Sequence, residues 1–130
     1  MPLASEIKKA IFSKIKKNLE QCTPPMVYKK GSADAYELIG NKPVPYGYKK
    51  EIVPGMYFAS TVVRANSVAF YFFPTYLNPA AFKSIAPSLY KCLKGKTCFH
   101  FRQEEDVNEK ELSALLKKGV EAWTKAGYMK

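Results

Sequence analysis

The fold is decided between residues 56 and 73, where the chain reads MYFASTVVRANSVAFYFF. Residues 56–64 and 67–73 are rich in β-branched and aromatic side chains, which is typical of strands. Ala65-Asn66 between them suits a hairpin turn, because asparagine tolerates a positive φ. Apolar side chains occupy both faces of the second strand. We therefore expect this antiparallel pair to be central in a sheet and largely covered.

An amphipathic helix is predicted over residues 5–21, where apolar side chains recur at four-residue spacing: Ile7, Ile11, Ile15 and Leu19. Ser5 is its expected N-cap, since a hydroxyl can accept from an unpaired backbone N–H. The apolar stripe can cover a sheet face or lie on an anionic membrane with its lysines at the headgroups. We favour the sheet, because the other helices alone would leave much of one face bare.

A second helical region begins at Asn78-Pro79, the expected order of cap and first-turn proline. Pro87 should break it into two short helices, and Gly95 should end it. Residues 41–55 hold three prolines and two glycines, which predicts a loop or an irregular edge strand.

The last helix has the clearest start signal, a capping box formed by Asn108 and Glu111, and Gly127 is its expected end. Two further strands are predicted over residues 35–39 and 97–102. The order is then α–β–β–β–α–β–α. It predicts one two-layer α+β domain over residues 1–130, with helices packed on one face of a mainly antiparallel sheet.

The chain is basic, with 21 Lys and Arg against 11 Asp and Glu and a formal net charge of +10. Residues 1–102 hold sixteen of the basic and five of the acidic side chains. Such a field favours an anionic partner, and it also improves solubility. The sequence shows no transmembrane run and no secretory signal, and its three cysteines are an odd number. We therefore expect reduced thiols and a cytoplasmic protein.

Several stretches resemble the YdhG-like family of small domains of unknown function. The residues that carry the resemblance lie within 33–128: Tyr36 to Gly40, Met56 to Ala59, Val68 to Tyr76 and Leu93 to Phe101, with Gly-Lys-Thr-Cys-Phe-His-Phe as the sharpest motif. The resemblance implies a secretion-chaperone-like α+β fold. It implies no catalytic residues, and some relatives have been proposed as frataxin-like iron chaperones.

Cys98 and His100 are the candidate pocket residues, because they share one face of the strand over residues 97–102. A zinc site would need four ligands, and only Cys92 lies nearby in sequence. A Cys–His dyad can activate a thiol, but residues two apart on a strand are separated by about 6.6–6.8 Å at the backbone. That spacing predicts packing, with His100 hydrogen-bonded. His100 is the only histidine, which excludes a two-histidine metal site within one chain.

An acidic run offers the one cluster of oxygen ligands for a hard cation such as iron: Glu104, Glu105, Asp106 and Glu109. The alternative is a simple helix start, because carboxylates oppose the positive end of the helix dipole. We favour the helix start and predict no metal and no cofactor.

Five lysines are candidates for anion binding: Lys49, Lys50, Lys91, Lys94 and Lys96. Tyr46 and Tyr48 lie beside the first two, and aromatic rings near cations can stack bases. Arg64 and Arg102 are the only arginines, and arginine is the usual reader of guanine. We therefore expect no sequence-specific DNA binding.

The sequence as a whole predicts a non-enzymatic binding or carrier module of YdhG-like type. Its expected partner is anionic or a second copy of the chain. Two alternatives stay open: a frataxin-like iron chaperone, and a nonspecific nucleic-acid or anion-binding protein.

Overall fold

The computed structural model describes residues 4–23, 26–32, 34–46, 51–95 and 97–129. Within these ranges the chain forms four α-helices, two short 3₁₀ helices and eight strands. The helices are α1 (Ser5–Glu20), α2 (Pro79–Ile85), α3 (Pro87–Tyr90) and α4 (Glu109–Ala126), and the 3₁₀ helices are Phe73–Tyr76 and Glu104–Asp106. The strands are β1 (Val27–Gly31), β2 (Ala35–Ile39), β3 (Val44–Tyr46), β4 (Glu51–Val53), β5 (Tyr57–Val63), β6 (Val68–Phe72), β7 (Leu93–Lys94) and β8 (Cys98–Phe101).

Six of the described strands form one sheet in the order β1-β2-β5-β6-β8-β7, and every neighbouring pair is antiparallel. The β5–β6 hairpin is in the middle of this order, as the sequence predicts. Its turn is closed by the Arg64 N–H, which donates to the Ser67 carbonyl at 2.8 Å. The α+β prediction is confirmed.

The helices pack on the face of the sheet that carries Phe58, Phe72 and Phe99. Trp123 of α4 meets Phe58 edge-on at 6.0 Å between ring centroids, and Phe82 of α2 meets Phe72 at 5.3 Å. Burying such rings provides most of the driving force for folding, since each buries about 150–250 Å². We call the opposite side of the sheet the outward face.

Helix α1 covers the sheet rather than presenting its apolar stripe to a membrane. Ile11, Ile15 and Leu19 are fully buried, and the helix contacts β5 and β6. Ile7, at the start of the stripe, is 41 % exposed. None of the helices in the described ranges has the length and apolarity that crossing a bilayer requires.

A bulge at Phe58 decides which side chains of β5 reach the outward face. Leu38 pairs with Ala59 and Ile39 pairs with Tyr57, so Phe58 has no partner on β2. An extra residue of this kind lets two consecutive side chains point to the same side. Phe58 and Ala59 are both fully buried. Tyr57 and Ser60, which lie before and after the two buried residues, therefore both point to the outward face. Their hydroxyls are hydrogen-bonded to each other there.

Four strands lie where the sequence indicates no strand or only an irregular edge: β1, β3, β4 and β7. The β3–β4 hairpin lies inside the proline-rich stretch 41–55, and β7 has two residues. Such short strands carry too few apolar side chains to show a period. Backbone pairing with a neighbouring strand creates them.

Two predicted helix signals were wrong. Ser5 lies inside α1, whose N-cap is Ala4 without a side-chain hydrogen bond. Gly95 does not end a helix, because α3 already ends at Tyr90 and Gly95 follows β7. Its φ of 81° turns the chain toward β8, a conformation that glycine adopts without strain.

The capping box at the start of α4 is only half formed. Asn108 accepts from the Glu111 N–H at 3.1 Å, as expected of an N-cap. The Glu111 carboxylate does not return to Asn108. It accepts instead from the N–H groups of Ser88 and Leu89 at 2.9 and 3.2 Å, and so caps the start of α3.

Candidate functional site

Cys98 and His100 lie on the outward face because β8 alternates between the two sides of the sheet. Phe99 and Phe101 point toward the helices and are fully buried. Cys98 pairs with Tyr71 and His100 pairs with Ala69 on β6. Both Cys98 and His100 are half-buried.

The structure brings the thiol and the imidazole into contact. Sγ of Cys98 lies 3.2 Å from Nε2 of His100, so the prediction that their spacing along the strand keeps them apart was wrong. The backbone spacing separates their Cα atoms, but the imidazole extends along the strand toward the thiol. Nδ1 of His100 lies 3.1 Å from Oγ of Ser67, which orients the ring from its other side. His100 is hydrogen-bonded, as expected.

Arg64, in the turn between β5 and β6, and Tyr71, in β6, extend this polar group. The Arg64 guanidinium donates from Nη2 to the Tyr71 hydroxyl at 2.8 Å. Tyr71 in turn hydrogen-bonds the Cys98 thiol. We call these five residues the Cys98 cluster: Arg64, Ser67, Tyr71, Cys98 and His100.

The thiol of Cys98 is not activated by this arrangement. Burial raises its pKa, while the hydrogen bond with Tyr71 and the charge of Arg64 act in the opposite direction and only partly offset it. A nucleophilic or metal-binding cysteine needs a lowered pKa, because the thiolate is the reactive form. Cys98 is therefore a neutral thiol at pH 7. The other cysteines, Cys22 and Cys92, are also free, and burial raises the pKa of each.

Formal charge around the Cys98 cluster is positive. Lys94 lies directly across from Cys98 in the β7–β8 pairing, and Arg102 follows β8 immediately. Strands β5, β6, β7 and β8 contain no acidic residue. Every polar side chain of the cluster can donate a hydrogen bond, and none is a carboxylate. The cluster is therefore suited to an electron-rich ligand group.

The predicted anion-binding lysines divide into two groups. Lys91 caps the end of α3 and Lys94 lies in β7, and both are exposed. Lys49, Lys50 and Lys96 lie outside the described residues, as does Tyr48. The structure therefore connects one of the five, Lys94, with the Cys98 cluster.

The acidic run leads into the start of α4, and three of its carboxylates bind neighbouring side-chain or backbone groups. Glu104 forms an ion pair with Lys14 at 3.4 Å. Asp106 accepts from the N–H groups of Arg102 and Gln103, and Glu109 accepts from Asn18 at 3.2 Å. Within the part of the chain that the structure describes, no three His, Cys, Asp or Glu side chains form a group that could hold a metal ion.

A row of aromatic rings begins at Tyr57, which lies on the same outward face as the Cys98 cluster. Tyr57, Phe73 and Tyr76 meet edge-on, with ring centroids 5.5 and 5.2 Å apart. Tyr76 is 52 % exposed. Two shallow clefts open along the same side of the sheet, one between Tyr57 and Phe73 and one around Ser60 and Val62. Neither cleft includes Cys98 or His100.

Sequence reasoning missed three members of the Cys98 cluster: Arg64, Ser67 and Tyr71. The alternation of β6 indicates that Tyr71 shares a face with Ala69. Only the β6–β8 register shows which residues of β8 lie beside them. Comparison of the chain with protein-family models, with curated proteins and with solved structures found no significant match.

Proposed function

We propose that this protein is a non-catalytic binding module that holds an anionic group at the Cys98 cluster. The observation that carries the proposal is the chemistry of the cluster. Its polar side chains are all potential donors, and its formal charges, from Arg64 and the adjacent Lys94, are positive. Hydrogen bonds in which one partner is ionised are about twice as strong as neutral ones.

The thiol–imidazole contact also raises the possibility of a cysteine enzyme. A nucleophile, a base and a third group that orients the base form the usual pattern for covalent catalysis, and Cys98, His100 and Ser67 match it in geometry. One observation favours binding instead. Burial raises the pKa of Cys98, so the thiol is held neutral rather than as the nucleophilic thiolate.

The anionic group could be a free phosphate or a phosphate of single-stranded nucleic acid. The row formed by Tyr57, Phe73 and Tyr76 supports nucleic acid as one of these two candidates. Bases of any sequence can stack on aromatic side chains. A second copy of the chain is a less suitable partner, since a net charge of +10 on each copy opposes association.

Nuclear magnetic resonance of His100 tests the proposal directly, since it is the only histidine and its Hε1 signal is unique. The signal is followed at fixed pH and constant ionic strength while inorganic phosphate or an oligothymidylate of about twelve nucleotides is added. We expect saturable shifts. Arg64→Gln should weaken binding about tenfold, by loss of a charge-assisted donor. Lys117→Gln is the matched control, an exposed charge on α4.

The two probes also separate the two sources of phosphate. Saturation by the oligonucleotide where phosphate has no effect identifies nucleic acid, and its affinity should then fall steeply with salt as counterions are released. Saturation by phosphate alone identifies a small anion. The proposal is wrong if neither probe shifts His100, or if Arg64→Gln and Lys117→Gln behave alike.

The family and location stay predictions beside this proposal. The YdhG-like resemblance and the cytoplasmic location agree with a small binding module. The iron-chaperone alternative gains no support from the acidic run, because Glu104, Asp106 and Glu109 are engaged with neighbouring groups.

A further inference from the structure

A third cleft lies near the β7 edge of the sheet and does not include the Cys98 cluster. It is a cleft of about 440 Å³ between the 3₁₀ helix Phe73–Tyr76, α2, α3 and β7. This volume is in the range of small-molecule sites, about 300–1,000 Å³. Its walls are mainly apolar and include Tyr76, Pro79, Ala80 and Leu93. Leu93 pairs with Phe99, so this wall of the cleft lies on the helix side of the sheet.

One wall of the cleft holds a hydroxyl pair with a spare donor. Oγ1 of Thr75 lies 2.7 Å from the Tyr90 hydroxyl, and both residues line the cleft. The two hydroxyls hold two hydrogens, and their mutual hydrogen bond uses one. Among the described residues the pair has no other hydrogen-bond partner, so the second hydrogen is available to a ligand. Burial raises the pKa of Tyr90, which keeps the phenol protonated at neutral pH.

Among the described residues that line the cleft, Lys83 is the one cation and none is an anion. Lys83 of α2 lines the cleft and is exposed, and it forms no salt bridge within the described ranges. A polar anion would leave the apolar walls uncovered, and an uncharged apolar molecule would leave the ammonium unpaired. The lining is complementary to a molecule that has both properties.

We propose that this cleft binds a small apolar molecule with a single anionic group, such as an aromatic carboxylate or sulfonate. The apolar body packs against Pro79, Ala80 and Leu93. The anionic group pairs with Lys83 and accepts a hydrogen bond from the Thr75–Tyr90 hydroxyl pair.

Two fluorescent probes with the same aromatic frame test this proposal: 8-anilinonaphthalene-1-sulfonate and its uncharged counterpart N-phenyl-1-naphthylamine. We expect saturable one-to-one binding of the sulfonate to the folded protein. Lys83→Gln should weaken the sulfonate about threefold to fivefold and leave the uncharged probe unchanged, the range of an exposed charge pair. Ala80→Phe fills the cleft and should weaken both probes.

Two matched variants serve as controls for the charge and for the added ring. Lys117→Gln removes an exposed charge from α4, and Ala114→Phe adds a ring to an exposed position of the same helix. Both should bind the sulfonate like the parent. The proposal is overturned if the sulfonate does not bind, if its affinity is unchanged by Ala80→Phe, or if its affinity is unchanged by Lys83→Gln. It is also overturned if Arg64→Gln causes the same loss, which would place the probe at the Cys98 cluster.

Discussion

Nε2 of His100 lies 3.2 Å from Sγ of Cys98, and Nδ1 of the same ring lies 3.1 Å from Oγ of Ser67. The imidazole thus connects Cys98, two residues away on the same strand, with Ser67, 33 positions away in the chain. A cysteine and a histidine this close usually suggest a thiolate nucleophile. Here the raised pKa of the thiol indicates a neutral hydrogen-bonded group.

Alkylation of Cys98 should therefore be slow at neutral pH. Iodoacetamide reacts with the thiolate, so the pH–rate profile should have its midpoint above the ordinary cysteine value of 9.0. Arg64→Gln should move the midpoint further up, because the guanidinium favours the thiolate. Peptide-resolved mass spectrometry measures the rate at each cysteine. A midpoint below the ordinary value would contradict the neutral thiol.

Cys22 should make the folded state sensitive to alkaline pH. Burial raises its pKa from 9.0 to about 11. The folded protein therefore holds this proton more tightly than the unfolded chain does. The stabilisation is complete below pH 9 and is lost as pH rises toward 11, by roughly 2–3 kcal/mol in total.

Cys22→Ala removes this linkage. Urea unfolding between pH 8 and 10.5 under reducing conditions should show a smaller loss of unfolding free energy in the variant than in the parent. Parallel curves for the two proteins would show that Cys22 does not carry the effect.

Gly119 should not tolerate a side chain, although it lies in the middle of α4. A Cβ there would be 2.7 Å from Cζ of Phe72 and 3.0 Å from Cε1 of Phe58. Alanine is the better helix former by about 1 kcal/mol, but overpacking costs about 1–3 kcal/mol. We expect Gly119→Ala to lower the melting temperature. Phe72→Leu should reduce that loss in a double-mutant cycle, and a more stable Gly119→Ala protein would contradict the close packing.

Glu111 should stabilise α3 rather than its own helix. Glu111→Ala removes the acceptor of the Ser88 and Leu89 N–H groups, which should cost about 1–2 kcal/mol and speed hydrogen exchange at both amides. Glu111→Gln keeps an acceptor oxygen and should retain part of the protection. Glu121→Ala, an exposed carboxylate on the same helix, is the control. Unchanged exchange at Ser88 in Glu111→Ala would contradict this role.

Local patterns in the sequence determined the main elements of this fold. Strand 35–39 has the predicted bounds, and α1, β5, β6, β8 and α4 lie within a residue or two of theirs. Each has enough apolar side chains to show a period, or has a turn or cap within a few positions. The hydrogen-bond partners of the Glu111 carboxylate differ from the predicted capping box. They belong to α3, which lies near Glu111 only in the folded chain.

The Cys98 cluster and the apolar cleft were decided only by the tertiary structure. The cluster joins β8 to β6 and the turn before it, and a 3₁₀ helix, α2, α3 and β7 lie between β6 and β8 in the chain. The cleft needs four elements to meet. The register of β6 against β8 places Tyr71 beside Cys98. That register depends on burying Phe70, Phe99 and their neighbours against the helices, and a shift by one residue would turn Cys98 and His100 to the opposite face.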